Sequence, residues 1–163
     1  FVKKLNNSKI KILDTRKTLP SLRALQKQAV VAGGGKNHRF NLSDLILIKD
    51  NHIAAASSVS KALSLAKKSQ KKIEIECDNF EQVIEAVKLS PDIIMLDNMP
   101  VVEIKKCSNS IRKESKKIKI EISGGINLDN IANFSNLDID FISIGALTHS
   151  AMAVDIGLDI LKK

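Results

Sequence analysis

Ile93-Ile94-Met95-Leu96-Asp97-Asn98 decides the fold. Four consecutive apolar residues ending in an acid and an amide read as a strand buried on both faces, as the strands of a parallel sheet are. The flanks repeat that grammar. Upstream, Ile73-Glu74-Ile75-Glu76 reads as a strand. Phe80, Val83, Ile84 and Val87 then follow at the i, i+3, i+4, i+7 spacing of one helical stripe, which Pro91 stops. Downstream, a helix opens near Pro100 with Val101, Ile104, Ser108 and Ile111 on one side, and Ile118–Ile122 is the next strand. A helix over Leu128–Phe134 and a strand Phe141–Ile144 complete the series.

The front half reads the same way. Ile10–Leu13 is a strand, Leu19–Val31 a helix begun by Pro20 and ended at Gly33-Gly34-Gly35, Leu45–Ile48 a strand, and Val59, Ala62, Leu63 and Ala66 mark a helix. Alternating strands and helices imply right-handed βαβ units and a parallel sheet, either doubly wound or closed toward a barrel. The tail differs, because Val154, Ile156, Leu158 and Ile160 alternate with Asp155, Gly157 and Asp159. That period predicts an edge strand pairing outside the parallel sheet.

The 163 residues suit one domain with a core of its own, and no apolar run approaches the length of a membrane span. A net charge of +8 invites a nucleic-acid reading, but five Phe with no Trp or Tyr leave little on which to stack bases. A small, highly anionic ligand uses positive charge equally well. Lys67-Lys68 and Lys71-Lys72 read as a solvated face. Cys77 and Cys107 have neither metal-ligand spacing nor a disulfide pattern, and a cytoplasmic location is expected. The chain opens on Phe1 with no signal or transit pattern, and a preceding native segment is expected.

In parallel α/β folds the C-terminal strand ends converge on one face, where sites form. Six such ends are legible: Asp14-Thr15-Arg16-Lys17, Lys49-Asp50-Asn51-His52, Glu76-Cys77-Asp78, Asp97-Asn98, Ser123-Gly124-Gly125 and Gly145-Ala146-Leu147-Thr148-His149. Ser123-Gly124-Gly125 and Gly145-Ala146 suit a phosphate held by backbone N–H groups. Arg16, Lys17, His38, Arg39 and Lys49 add positive charge from the first half, and guanidinium forks suit carboxylates or phosphates. Together they call for a ligand with several negative charges. Glu76 and Asp97 on the same rim then require a divalent cation with pyrophosphate, or a developing positive charge; the plainer alternative is salt bridges to nearby lysines. His52 reads as a structural hydrogen-bonding residue. Gly33-Gly34-Gly35 is either a helix cap or part of a loop, continued by Lys36-Asn37-His38-Arg39, bent over a ligand.

Ile12-Leu13-Asp14-Thr15-Arg16-Lys17-Thr18, Gly33-Gly34-Gly35-Lys36-Asn37-His38-Arg39, Leu47-Ile48-Lys49-Asp50-Asn51-His52, Leu96-Asp97-Asn98, Glu121-Ile122-Ser123-Gly124-Gly125-Ile126 and Gly145-Ala146-Leu147-Thr148-His149-Ser150 resemble quinolinate phosphoribosyltransferase, from about Ile10 onward and in order. The resemblance implies an incomplete, open TIM-like α/β barrel of parallel strands over residues 1–152, with residues 153–163 a strand returning toward an N-terminal α/β domain. That domain and the first barrel strand would lie outside this chain. In the family, the domain caps the partner subunit's barrel and adds an arginine to the quinolinate site, so a homodimer is implied.

The resemblance also implies transfer from phosphoribosyl pyrophosphate to quinolinate with Mg2+. The products would be nicotinate mononucleotide, pyrophosphate and CO2, in NAD biosynthesis. Residue by residue, Arg16, His38 and Arg39 would hold the quinolinate carboxylates, with Lys17 and Lys49 at the junction of the substrates. Glu76 and Asp97 would face the ribose hydroxyls and Mg2+, directly or through water or substrate. Ser123, Gly124, Gly125, Gly145 and His149 would line the phosphate pocket. Glu74 lies on the same side of its strand as Glu76, which is nearer the strand end and the better candidate. The rivals are a transferase for a related ring such as nicotinate, a non-catalytic chain that binds phosphorylated metabolites, and a nucleic-acid binder.

Overall fold

A computed structural model describes residues 1–161. Six strands, β1 (Lys11–Leu13), β2 (Ile46–Ile48), β3 (Ile73–Cys77), β4 (Ile93–Asp97), β5 (Lys119–Ser123) and β6 (Phe141–Ser143), form one all-parallel sheet in the order β1-β6-β5-β4-β3-β2. This is the cyclic order of a barrel left open between β1 and β2. A single bridge, Leu13 to Lys36, extends the β1 edge into the gap.

Four longer helices cover the outside: α2 (Arg23–Ala32), α4 (Val59–Ala66), α5 (Phe80–Lys88) and α6 (Val101–Glu114); the short α1 (Val2–Leu5), α3 (Asp50–Ala56) and α7 (Ala146–His149) complete the set. Local chemistry sets their ends. Ser58 caps α4 by accepting the Lys61 N–H at 3.1 Å, and Asn79 caps α5 by accepting the Gln82 N–H at 3.0 Å. Ile104, Cys107, Ser108 and Ile111 form the buried stripe of α6. Ile75, Ile94, Leu96, Ile120, Ile122 and Ile142 point from the sheet into this layer and are fully buried. Each contributes roughly 1.5–3 kcal/mol relative to exposure.

Strand alternation then sends the intervening residues inward. Glu74 and Glu76 on β3, Met95 and Asp97 on β4, Glu121 and Ser123 on β5 and Ser143 on β6 lie outside the apolar core cluster. Ile73-Glu74-Ile75-Glu76 alternates because its second face is the polar barrel interior.

Two helix expectations are revised. The helix predicted over Leu128–Phe134 is a 3-10 turn, Ile131–Phe134, because Asn127 Oδ1 accepts the N–H groups of Asp129 and Asn130 and diverts the backbone. The helix predicted from Leu19 begins at Arg23, after a turn in which Ser21 has φ 63°. After the β2 end, Asp50, Asn51 and His52 open α3, and His52 Nδ1 accepts the Lys49 N–H at 3.0 Å. Residues 151–161 pair with no strand among the described residues and lie exposed, leaving free the alternating face expected to meet a further domain. Residues 162 and 163 of that predicted strand lie outside the described residues.

Candidate active site

The strand ends open onto a cavity of about 460 Å³ lined by Asp14, Thr15, Arg16, Lys17, His38, Arg39, Leu47, Lys49, Glu76, Met95, Asp97, Ser123 and Ser143. Eight of the sequence-predicted residues thus share one space: Arg16, Lys17, His38, Arg39, Lys49, Glu76, Asp97 and Ser123. Cations from the β1 and β2 ends and from the 36–39 loop face acids from the β3 and β4 ends. Arg39 has its pKa lowered by burial, with Arg16 adding repulsion while Glu74 draws it back. Two guanidinium groups held in mutual repulsion favour an anion between them.

The acidic wall is built from β3 and β4. Glu76 is ion-paired to Lys49, whose side chain is 45% exposed against 12% for the glutamate. The salt-bridge alternative therefore holds for Glu76. Asp97 pairs with no cation among the described residues and accepts the Asn98 amide at 2.5 Å. Carboxylate oxygens of Glu76, Asp78 and Asp97 lie within 4.8 Å of one another. Asp78 has its pKa raised by burial, then by the charges of Asp97 and Asp50.

Gly124, Gly125, Gly145 and His149 stand beside the cavity instead of lining it. Gly124, at φ +92°, allows β4 and β5 to end together: a Cβ there would lie 2.2 Å from Asn98 Oδ1, while the Asn98 N–H donates to the Ser123 carbonyl at 2.9 Å. Gly125 faces open space. A Cβ on Gly145 would lie 2.9 Å from His149 Nε2 and 3.7 Å from Lys17 Cδ, so these three residues form one corner. The triple glycine is a helix end, with the Gly33 N–H donating to the Ala29 carbonyl and Gly34 at φ +85°. It turns the chain so that Lys36 pairs with β1 and residues 37–39 reach the cavity.

The floor is a cluster that sequence reasoning missed. His38 Nε2 lies 3.0 Å from Glu74 and 3.6 Å from Glu121, both fully buried, and Ser143 donates its hydroxyl to Glu121. His38 Nδ1 accepts the Arg39 N–H at 2.8 Å, so both ring nitrogens are committed to the protein. Burial opposes a proton on His38, but the Glu74 hydrogen bond and the charges of Glu74 and Glu121 outweigh it and raise its pKa. Glu121 is pushed up to about 8 by burial and by the Glu74 charge. Asp14, also fully buried, is ion-paired to Lys27 of α2 and accepts the His38 N–H at 2.9 Å. Asp14 had been visible as part of a strand-end cluster. Lys27, inside an ordinary amphipathic pattern, gave no signal.

Comparison with known families matches residues 1–159 to the C-terminal domain of quinolinate phosphoribosyl transferase. The chain belongs to this family. It is 43% identical over 162 residues to the carboxylating nicotinate-nucleotide pyrophosphorylase of Mycobacterium leprae, covering 98% of this chain and 57% of that protein. The human enzyme of the same name is 35% identical over 155 residues, covering 93% and 52%. Among solved structures, the nicotinate-nucleotide pyrophosphorylase of Ehrlichia chaffeensis superposes with a TM-score of 0.90 at 44% identity, covering 97% of this chain and 57% of that one. That of Francisella tularensis gives 0.84 at 42%, covering 91% and 52%. The chain thus spans a little over half the length of these family members. Among the described residues, no helix is long and apolar enough to cross a membrane.

Proposed function

We propose that this domain transfers the phosphoribosyl group of phosphoribosyl pyrophosphate to quinolinate with loss of the 2-carboxylate, giving nicotinate mononucleotide, pyrophosphate and CO2. The observation that carries the reading is the division of one cavity into a wall of Arg16, Lys17, Arg39 and Lys49 and a wall of Glu76 and Asp97. A dicarboxylate needs the first wall and a ribose with developing positive charge the second. Arg16 and Arg39 take the two carboxylates. His38 contributes charge from below, since neither ring nitrogen is free to bind one. Lys17 and Lys49 sit between the substrates, and Ser123, Gly124, Gly125, Gly145 and His149 bound the phosphate side.

The oxygen donors of Glu76, Asp78 and Asp97 fit Mg2+, which takes one or two carboxylates plus substrate phosphates. Asp97 has no cationic partner among the described residues, so a cation held there would relieve the charge it shares with Glu76 and Asp78. When bound, Mg2+ neutralises charge on the departing pyrophosphate. The protein orients the ring nitrogen toward the anomeric carbon, and Glu76 and Asp97 stabilise positive charge as the bond to pyrophosphate lengthens. The quaternised ring nitrogen then stabilises the carbanion left at C2 as CO2 departs, and a proton from solvent completes nicotinate mononucleotide. A homodimer and a cytoplasmic location belong to the same reading, as does a tail strand, Val154–Ile160, that pairs with a further domain.

The test is quinolinate-dependent release of pyrophosphate and CO2 with phosphoribosyl pyrophosphate and Mg2+. Release abolished by Arg39→Ala or Lys49→Ala is expected; wild-type rates in either variant would overturn the reading.

A further inference from the structure

We propose that α2 is a positioning element of this site, in which Arg23, Gln26 and Lys27 hold the loop after β1, the 36–40 loop and α7. The inference rests on the phosphoribosyl-transfer reading for the identity of the ligands, but its geometry is independent of it. None of the three side chains lines the cavity. Spaced i, i+3 and i+4, they share one face of the helix.

Each reaches more than one loop. Arg23 donates from Nε to Thr18 Oγ1 at 3.1 Å, from Nη2 to the Arg16 carbonyl at 3.4 Å and from Nη1 to the Phe40 carbonyl at 3.3 Å. Its guanidinium therefore joins the loop after β1 to the loop carrying His38 and Arg39. Lys27 joins the same two loops from beneath, donating to Asp14 and, at 3.1 Å, to the His38 carbonyl. Asp14 in turn accepts the His38 N–H at 2.9 Å. Gln26 works in the other direction. Its Oε1 accepts the Leu19 N–H at 2.9 Å and its Nε2 donates to the Thr148 carbonyl at 2.6 Å, while Thr148 Oγ1 donates to the Lys17 carbonyl at 2.7 Å. The Lys17 and His149 corner is thereby fixed to α2.

An apolar pair at positions 14 and 27 would pack as well, since a buried charge pair rarely stabilises a fold more than hydrophobic residues of the same volume. Lys27 is only 2% exposed, and its bonds end on residues adjoining Arg39 and Arg16. The clamp is divided: Arg23 and Lys27 set the dicarboxylate side, Gln26 the phosphate side. Misplacing a binding group by about 1 Å weakens its site strongly.

Arg23→Met and Gln26→Met test this division, because neither leaves a buried charge unpaired as Lys27→Met would. Two readouts are taken on the chain: backbone hydrogen exchange, and calorimetric affinity for quinolinate and for magnesium pyrophosphate. Arg23→Met is expected to speed exchange at residues 38–41 and weaken quinolinate about tenfold, with pyrophosphate affected less than about twofold. Gln26→Met is expected to speed exchange at residues 147–149 and reverse the selectivity. Arg23→Lys, which keeps one donor, restores part of the loss. Equal weakening of both ligands by each variant, or loop exchange within twofold of the parent chain, would overturn the clamp. A parent chain that binds neither probe would break the functional reading instead, and the exchange result alone would then decide the clamp.

Discussion

Glu74 and Glu76 stand two residues apart on the same face of one strand and meet opposite conditions. Glu76, at the strand end, is partly solvated and shares its charge with a half-exposed lysine. Glu74, one step deeper, is fully buried against His38 and beside Glu121. Identical side chains thus build two layers. The upper layer keeps charges available to a ligand, and the lower one spends its charges on the protein. One oxygen each of Glu74 (Oε1) and Glu121 (Oε2) even lacks a hydrogen-bond partner among the described residues, so the lower layer is bound together chiefly by its one imidazole.

His38→Ala should break this comparison most forcefully. Removing the imidazole that pairs with Glu74 strands a buried carboxylate beside Glu121, and urea unfolding should show a loss of about 3–5 kcal/mol. A loss below about 1 kcal/mol would mean that the floor is not a charged layer. Arg39→Ala, in the upper layer, should instead leave unfolding nearly unchanged while weakening quinolinate by about 2–3 kcal/mol in calorimetry.

The floor also predicts a pH dependence. Glu121 keeps its proton to about pH 8 in the folded chain against an ordinary 4.5, so the unfolded state releases it first and stability falls as pH rises through that window. His38, with its pKa raised above 6.5, acts in the same sense, its contribution being lost as pH passes the folded value. Glu121→Gln, which mimics the protonated form, should therefore flatten the decline between pH 5 and 8, raising Tm at pH 8 by several degrees. An unchanged slope would place the proton elsewhere. The smallest effect belongs to the upper layer. The double variant Lys49→Met/Glu76→Gln should alter unfolding by less than about 1 kcal/mol, because a half-exposed pair is screened by water.

The strand ends were legible because βα spacing fixes where each strand stops, and eight of the residues read there do meet in one cavity. The floor was not. Glu74 and Glu121 alternate with isoleucine, a pattern that announces one polar face without saying whether that face meets solvent or the inside of a barrel. Lys27 was hidden for a related reason, since a lysine on an amphipathic helix ordinarily faces water. The tail, Val154–Ile160, alternates as regularly as β3 and lies exposed in the described chain, because periodicity specifies a face and leaves its partner to be found elsewhere.

The most direct test of the two-layer account is calorimetric titration of the chain with quinolinate and with nicotinate, each against wild type and Arg39→Ala. The account predicts that quinolinate binds at least about tenfold more tightly than nicotinate and that Arg39→Ala erases the difference, since the upper layer offers separate cations to two carboxylates. Equal affinities in the wild type, or a preference that survives Arg39→Ala, would contradict it.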